Sequence, residues 1–237
     1  MKESIVRRLV ELNYNFYETF ARDFSASRAS PSPGYYRLLE SIPSVRPVKV
    51  LDVGCGDGRF GRFLTKEGVE SEYTGVDFYQ VQSTQPHSFP GRYISRDLSH
   101  PDCLTGIGRF DLVTCLSTLQ HVPGATNRER LLENIMTVLE PEGLVFMSNW
   151  QFLDSPRQLR KIRPWSEAGL TTADVEQGDY LLAWNRGGYG IRYVNYIGIT
   201  ETKTMMKKTN LRVVDQYNSD GREGDLNLYT VMAVDTP

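Results

Sequence analysis

The 237-residue sequence predicts an α/β fold in which a mostly parallel sheet carries helices on both of its faces. The first observation is a short apolar segment, Val48–Val53, followed by a glycine-rich turn and then by apolar residues at helical spacing. The second is that further short apolar segments alternate with helical patterns downstream, as in strand–helix–strand units. The length suits one domain over residues 1–237, and neither an internal repeat nor a long linker divides it.

The composition is that of an ordinary globular protein, with 40% hydrophobic and 24% charged residues. A net charge of −2 provides no bulk attraction to nucleic acid or to a membrane surface. The three cysteines are odd in number and lack Cys-x-x-Cys spacing, so neither a disulfide framework nor a metal site is predicted. Since the chain shows no membrane-spanning apolar segment and no signal-peptide core, we expect a cytoplasmic protein.

Helical patterns precede the first strand. Apolar side chains recur at helical spacing over residues 1–25, which predicts one amphipathic helix or a pair of helices. A loop rich in Ser and Pro over 25–34 and a short helix over 35–41 follow. We expect residues 1–45 to form a helical cover on the domain.

The turn after the first strand predicts a bound cofactor. Gly54, Gly56 and Gly58 permit positive φ and allow a ligand to approach the backbone without a Cβ in the way. Gly56-x-Gly58-x-x-Gly61 matches a dinucleotide fingerprint, but a fingerprint that begins at Gly56 leaves Gly54 without a role. A fingerprint that began at Gly54, directly after the strand, would need its third glycine at position 59, where the sequence has arginine.

The alternative register, Asp52-x-Gly54-x-Gly56-x-Gly58, resembles the first motif of Rossmann-like (class I) methyltransferases that use S-adenosyl-L-methionine (SAM). In that family the acid at the strand end organises the turn and faces the positively charged methionine end of the cofactor. The resemblance covers about residues 48–234. It implies the Rossmann-like methyltransferase fold, a mostly parallel seven-stranded sheet with an antiparallel C-terminal hairpin.

Two acids beyond the turn extend the predicted cofactor site. Asp77 ends the second strand, Ser71–Asp77, where its carboxylate could accept hydrogen bonds from both ribose hydroxyls or cap the next turn. Asp97 follows the third strand, Arg92–Ser95. The resemblance implies that Asp97 accepts a hydrogen bond from the adenine amino group, and an N-cap for a helix over 99–104 is the alternative. The remaining predicted cofactor residues are Cys55, Phe78 (against the adenine or in the core), Leu98 and Leu116.

The fourth strand, Phe110–Leu116, leads into a segment over 117–123 that resembles the family's loop at the methyl group. His121 lies in this segment, where a neutral imidazole could take a proton from the acceptor or donate one to it; a structural histidine is the alternative. The remaining pattern predicts a helix over 127–139 that ends at 140–143, a strand over 144–148, a final helix over 200–209, and two antiparallel strands over 211–216 and 226–234.

Residues 150–190 depart from the minimal fold. Inserts after the fifth strand cover the active site in similar enzymes, so we expect this one to influence substrate choice. It carries a basic segment that is either a phosphate-binding patch or a solvated helix face, formed by Arg157, Arg160, Lys161 and Arg163.

A narrower resemblance appears near both ends of the chain. The pair Phe16-Tyr17, followed by Phe-Ser-Ala-Ser-Arg at 24–28, looks like the entry segment of tRNA methyltransferases that esterify the carboxymethyl group of a wobble uridine. Arg192-Tyr193 opens a segment similar to their Arg-Tyr-x-His motif, and the pair that ends at His121 stands where they carry His-His. The chain departs from those motifs at Ser27, Gln120 and Asn195.

The narrower resemblance implies methyl transfer to a carboxylate of tRNA, with tRNA and a small activating protein subunit as partners beside SAM, and with no metal and no membrane. A carboxylate is already a nucleophile, so it needs orienting groups rather than a strong base. Arg28, Arg192, Tyr193 and His121 are the predicted holders, although Arg28 could instead pair with Asp23 or contact the cofactor carboxylate. The alternatives are O- or N-methylation of a small metabolite, a nicotinamide dehydrogenase, and a non-catalytic SAM-binding subunit.

Overall fold

A central seven-stranded sheet with helices on both faces organises the structure, a computed structural model that describes residues 1–28, 30–44, 46–78 and 90–235. The helices are α1 (Glu3–Ala26), α2 (Gly34–Leu38), α3 (Arg59–Lys66), α4 (Ala125–Val138), α5 (Pro156–Leu159) and α6 (Ile199–Thr209). The strands are β1 (Val48–Val53), β2 (Ser71–Asp77), β3 (Arg92–Ser95), β4 (Phe110–Leu116), β5 (Leu139–Trp150), β6 (Ile162–Arg163), β7 (Asp179–Trp184), β8 (Gly190–Asn195), β9 (Leu211–Ser219) and β10 (Asn227–Val234).

The strands of the central sheet follow the order β3-β2-β1-β4-β5-β10-β9. All pairs from β3 to β5 are parallel, whereas β10 runs antiparallel to both β5 and β9. This confirms the predicted sheet and its antiparallel C-terminal hairpin. The chain continues from β1 to β2 on one side and reaches β4 on the other. The carboxyl ends of β1 and β4 therefore border the crevice where such sheets bind ligands.

The two faces of the sheet bury separate apolar clusters, and β1 contributes to both because successive side chains of a strand alternate. Val50 packs with Phe60 and Phe63 of α3 on one face. Leu51 packs on the other face in the same cluster as Leu131 of α4. Burying each such side chain contributes roughly 1.5–3 kcal/mol, so the strand that leads into the glycine turn is anchored from both sides.

Residues 1–25 form one helix, α1, which is one of the two predicted alternatives. Two other segments differ most from the prediction. No helix forms over 99–104, where the chain makes successive turns. β5 begins directly after α4 because Leu139 pairs with Phe110, which draws residues 140–143 into the strand through a register shift. Pairing with a neighbouring strand here overrides the Pro and Gly turn signals of the sequence.

A second, three-stranded antiparallel sheet of β6, β7 and β8 occupies the segment after β5, and the sequence analysis did not predict these strands. α1 packs on β8 through the buried Asn13, whose amide nitrogen donates to the Tyr193 carbonyl oxygen at 3.1 Å. The Tyr193 amide in turn donates to the Asn13 Oδ1 at 2.8 Å. Since Asn13 also donates to the His121 carbonyl oxygen at 3.3 Å, one polar side chain joins α1, β8 and the segment after β4.

A buried arginine of α4 joins this second sheet to α4 through ion pairs and hydrogen bonds. Arg128 of α4 is 2% exposed and lies 3.8 Å from a Glu176 carboxylate oxygen and 3.5 Å from one of Glu201. Its Nη1 donates to the Tyr193 hydroxyl at 3.3 Å, and that hydroxyl donates to Asp179 at 2.7 Å. A buried charge is tolerated because carboxylates and hydrogen bonds compensate its desolvation.

In the described residues no helix is long and apolar enough to cross a membrane.

Candidate active site

A cavity of about 600 Å³ opens at the carboxyl ends of the parallel strands, a volume within the roughly 300–1,000 Å³ of small-molecule sites. Its floor is formed by residues that follow β1, β2, β3 and β4. α1 and the segment over 150–192 contribute the opposite wall. In the described residues no cluster of three or more His, Cys, Asp or Glu could hold a metal ion.

The glycine turn lies on the floor of this cavity. Gly54 has φ +75°, and a Cβ built there would stand 2.1 Å from the Thr118 hydroxyl oxygen, so the turns after β1 and β4 meet where only glycine fits. Gly56 has φ +52°, and a Cβ there would meet nothing within 4 Å. Its backbone thus faces open space, as the approach of a cofactor requires. Gly58 is the N-cap residue of α3 and does not line the cavity.

Asp52 and Asp77 both line the cavity, in different environments. Asp52 is buried and accepts hydrogen bonds from the Tyr73 hydroxyl at 2.7 Å and the Thr114 hydroxyl at 2.6 Å. Burial raises the pKa of Asp52 to about 6, against these hydrogen bonds. Asp77 ends β2 and accepts a hydrogen bond from the Gly56 amide at 2.8 Å. Asp52 thus braces strand ends, whereas Asp77 lies beside the backbone that faces open space.

The other predicted cofactor residues also reach the cavity: Cys55, Phe78, Asp97, Leu98 and Leu116. The Phe78 ring packs edge-on against Tyr14 of α1, with 5.0 Å between centroids. Asp97 Oδ1 accepts hydrogen bonds from the Ser99 amide and hydroxyl at 2.8 and 2.7 Å. Because residues 99–104 are not helical, these bonds close a local turn and the alternative of a helix N-cap is wrong.

His121 is neutral and held by two partners. Its Nδ1 lies 3.0 Å from the Tyr193 carbonyl oxygen, which can only accept, so Nδ1 carries the proton. Nε2 therefore accepts a hydrogen bond from the Tyr17 hydroxyl at 3.1 Å. Burial, and next the charges of Arg192 and Arg28, lower the pKa of His121 to about 3. A second proton on this ring would stand beside two guanidinium groups, which makes His121 a poor general base.

Arg192 is 6% exposed and enclosed by aromatic rings, with its guanidinium carbon 4.5 Å from the Trp150 centroid and 5.0 Å from that of Phe16. Its Nη1 donates to the Tyr17 hydroxyl at 3.4 Å. Its buried Nε has no hydrogen-bond partner within the described part of the chain. Burial lowers the pKa of Arg192, but its charge is stabilised by the ring faces.

Arg28 stands near Arg192, with its guanidinium carbon 3.6 Å from the centroid of the Phe24 ring. Burial, followed by the charge of Arg192, lowers the pKa of Arg28 to about 9, so the side chain is still protonated at neutral pH. Across residues 1–28, 30–44, 46–78 and 90–235, neither arginine forms an ion pair with a carboxylate, and the alternative pairing of Arg28 with Asp23 is not formed. Two adjacent cations thus face the cavity without an acid between them.

The structure does not bring Tyr193 to the cavity. Its ring is fully buried and its hydroxyl belongs to the network of Asp179 and Arg128. Only its backbone carbonyl contributes to the site, by holding His121. Tyr14, Tyr17 and Tyr35 line the cavity, and Tyr17 is the one that bonds to both His121 and Arg192. The sequence marked Tyr17 only as part of the Phe16-Tyr17 pair that precedes the entry-segment motif, and it assigned this tyrosine no role in the site.

We expect the His121 ring to stay neutral, with its proton on Nδ1, from about pH 8 down to about pH 5. An unperturbed histidine would take up a second ring proton within this range, near pH 6.5. The ¹⁵N chemical shifts of its ring nitrogens measure both tautomer and charge. Unfolded His121 binds a proton below about pH 6.5 and the folded ring does not, so it contributes stability that is present above this pH and lost as the pH falls toward 3. A titration step between about pH 6 and 8 would contradict this environment.

Comparison with known proteins agrees with this geometry. Residues 20–216 match the family model described as a methyltransferase domain. A protein of Encephalitozoon cuniculi, named provisionally as a methyltransferase, is 27% identical over 206 residues, which cover 85% of this chain and 88% of that protein. The ubiquinone biosynthesis O-methyltransferase of Coxiella burnetii is 30% identical over 121 residues, 49% of this chain, and the match spans only 50% of that relative.

The fold also matches solved structures. The crystal structure of the glycopeptide N-methyltransferase MtfA in complex with SAM superposes with a TM-score of 0.58 at 15% identity, covering 85% of this chain and 92% of that chain. The matched family model and the SAM-bound structure of the same fold support SAM as the cofactor, so the dinucleotide interpretation is not retained. The chain belongs to the methyltransferase domain family and is a class I, SAM-dependent methyltransferase.

Proposed function

We propose that this methyltransferase transfers the methyl group to a carboxylate oxygen, and that the carboxymethyl group of a tRNA wobble uridine is the first candidate acceptor. The observation that carries the proposal is the pair Arg28 and Arg192, two cations without a carboxylate partner in the described residues. Both belong to the wall formed by residues 10–28 and 150–192, which we call the acceptor wall. Guanidinium groups match the fork of a carboxylate and orient its oxygens. An incoming carboxylate would supply the missing negative charge.

The proposed cofactor contacts come from the residues at the ends of β1, β2 and β3. Asp77 would accept hydrogen bonds from the ribose, the Gly54–Gly56 backbone would admit the methionine end, and Asp97 with Phe78 would contact the adenine. SAM, when bound, supplies an electrophilic methyl group on a sulfonium. The protein's own contribution is to hold a nucleophilic oxygen in line with the methyl–sulfur bond, since well-oriented reactants need little further help.

The neutral histidine supports a carboxylate over a hydroxyl or an amine. A hydroxyl or ammonium acceptor must lose a proton, and His121 resists taking one beside Arg192 and Arg28. A carboxylate arrives without that proton. Tyr17 donates its hydroxyl proton to His121 and accepts from Arg192, so it fixes the guanidinium that faces the acceptor.

The second candidate acceptor is a small organic acid or phenol. It is favoured by the relative named as a ubiquinone biosynthesis O-methyltransferase and by the net charge of −2, which gives no general attraction to RNA. The tRNA interpretation is favoured by the motif that ends at Arg28 and by the segment that begins at Arg192.

The test follows tritium from methyl-labelled SAM into tRNA that carries 5-carboxymethyluridine, and into the free nucleoside. We expect label that mild alkali releases as volatile methanol, because methyl esters hydrolyse where methyl ethers and N-methyl groups do not. Label that survives alkali would overturn the carboxylate proposal. Label in the nucleoside but not in tRNA would indicate that the acceptor is a small molecule. Calorimetry with the nucleoside and the S-adenosylhomocysteine complex reports acceptor binding even if an activating subunit is required for turnover.

A further inference from the structure

The structure separates the four cations of the basic segment. Arg157 and Lys161 line the cavity, whereas Arg160 and Arg163 do not. Arg163 instead lies 4.0 Å from a Glu167 oxygen. Sequence spacing could not distinguish these residues because all four fall within one short, irregular stretch. The phosphate-patch interpretation therefore applies to two of them.

A third cation joins from another part of the chain. Arg186 lies in the turn between β7 and β8 and lines the same cavity. In the part of the chain that the structure describes, no hydrogen bond or ion pair engages the side-chain nitrogens of Arg157, Lys161 or Arg186. Burial, and next the charges of Arg157, Arg192 and Arg186, lower the pKa of Lys161.

The cations that line the cavity differ in their exposure to solvent. Arg157 and Arg186 are exposed, Lys161 is half-buried, and Arg192 is buried. One carboxylate engages the inner pair, Arg28 and Arg192, and leaves the outer three without a partner. The lining residues from α1 and from the 150–192 segment include no Asp or Glu that could balance them.

We propose that Arg157, Lys161 and Arg186 form a phosphate-binding subsite at the cavity mouth, and that the acceptor carries a phosphate group as well as the carboxylate. This deepens the proposed function and rests on it only for the carboxylate at the inner pair. Phosphate fits better than a second carboxylate because three cationic donor groups from two segments line the same cavity, and phosphate offers more oxygens and more charge. The phosphate is either a monoester of a small acid or a diester of an RNA backbone.

The experiment titrates inorganic phosphate into the full-length protein with S-adenosylhomocysteine bound, following the ³¹P line width. We expect the double variant Lys161→Gln/Arg186→Gln to lose at least about tenfold in phosphate affinity, since it removes two charge-assisted hydrogen bonds to the phosphate. Arg160→Gln removes the same charge from an exposed residue outside the cavity and should match the wild type. Arg192→Gln should also keep phosphate binding.

The subsite is refuted if the wild type does not bind phosphate, if Arg160→Gln loses as much as the double variant, or if Arg192→Gln alone abolishes binding. Competition then identifies the source: displacement by uridine 5′-monophosphate indicates a monoester, and displacement by the dinucleotide UpU indicates an RNA backbone. If neither displaces phosphate, the proposal fails. Failure of the carboxylate proposal looks different, because alkali-stable label would appear while phosphate binding remained.

Discussion

Arg192→Gln is expected to reduce kcat/KM for the carboxylate acceptor by at least about 100-fold, because truncating one partner of a buried charge pair costs roughly 2–5 kcal/mol. The guanidinium is enclosed by Phe16, Trp150 and other rings, and its Nε has no partner among the described residues. An acceptor carboxylate is therefore the interaction that the substitution removes. Steady-state methyl transfer at saturating SAM measures the loss.

The affinity for SAM is the control for folding in that experiment. Arg192 is on the acceptor wall, so calorimetry should give the same SAM affinity for Arg192→Gln and the wild type within about twofold. Arg192→Lys keeps the charge but loses the planar fork, and we expect an intermediate rate. A wild-type kcat/KM in Arg192→Gln would remove the arginine pair from the acceptor site.

Asp77→Ala is expected to weaken SAM binding by about 100-fold, since hydrogen bonds to a charged group contribute roughly 1.5–3 kcal/mol each and a ribose offers two hydroxyls. Asp77 already accepts a hydrogen bond from the Gly56 amide at 2.8 Å, so its carboxylate is positioned beside the open end of the turn. Calorimetry with SAM measures the change.

Two comparisons identify the cause of that loss. S-adenosylhomocysteine has the same ribose but no sulfonium charge, so equal losses for both ligands indicate ribose hydrogen bonds, and a loss for SAM alone indicates charge attraction. Asp102→Ala, at an exposed acid outside the cavity, should bind both ligands like the wild type. Unchanged affinity in Asp77→Ala would show that the ribose contact is wrongly assigned.

The elements nearest the cofactor side were predicted to the residue. β1, β2, β3 and β4 have the bounds that the sequence analysis inferred. Each is a short apolar or amphipathic segment bounded by glycines or polar residues, so local periodicity is sufficient to locate it. The second sheet was missed because β6 has two residues and β7 and β8 pair across a glycine-containing turn, with partners that only the folded chain reveals.

The acceptor wall shows the limit of sequence reasoning most clearly. Arg28 and Arg192 were inferred from motif resemblance, but their proximity joins residues more than 160 positions apart. Asn13 and Arg128 belong to no motif, and Tyr17 stood in the Phe16-Tyr17 pair without an assigned role. A polar residue in an amphipathic helix looks the same whether it faces solvent or completes a buried network. For Tyr193 the error runs the other way. Its position in a motif predicted a substrate contact, whereas its hydroxyl donates a hydrogen bond to the buried Asp179.

The amino-acid sequence alone determined the fold class, the glycine turn and the acid that ends β2, because these depend on residues close together along the chain. The tertiary structure decided which cations share a cavity, which nitrogen of His121 carries the proton, and which tyrosine bonds to both His121 and Arg192. Those properties arise from burial and from contacts between distant segments. No local pattern encodes them, since they exist only once α1 and the second sheet close over the sheet edge.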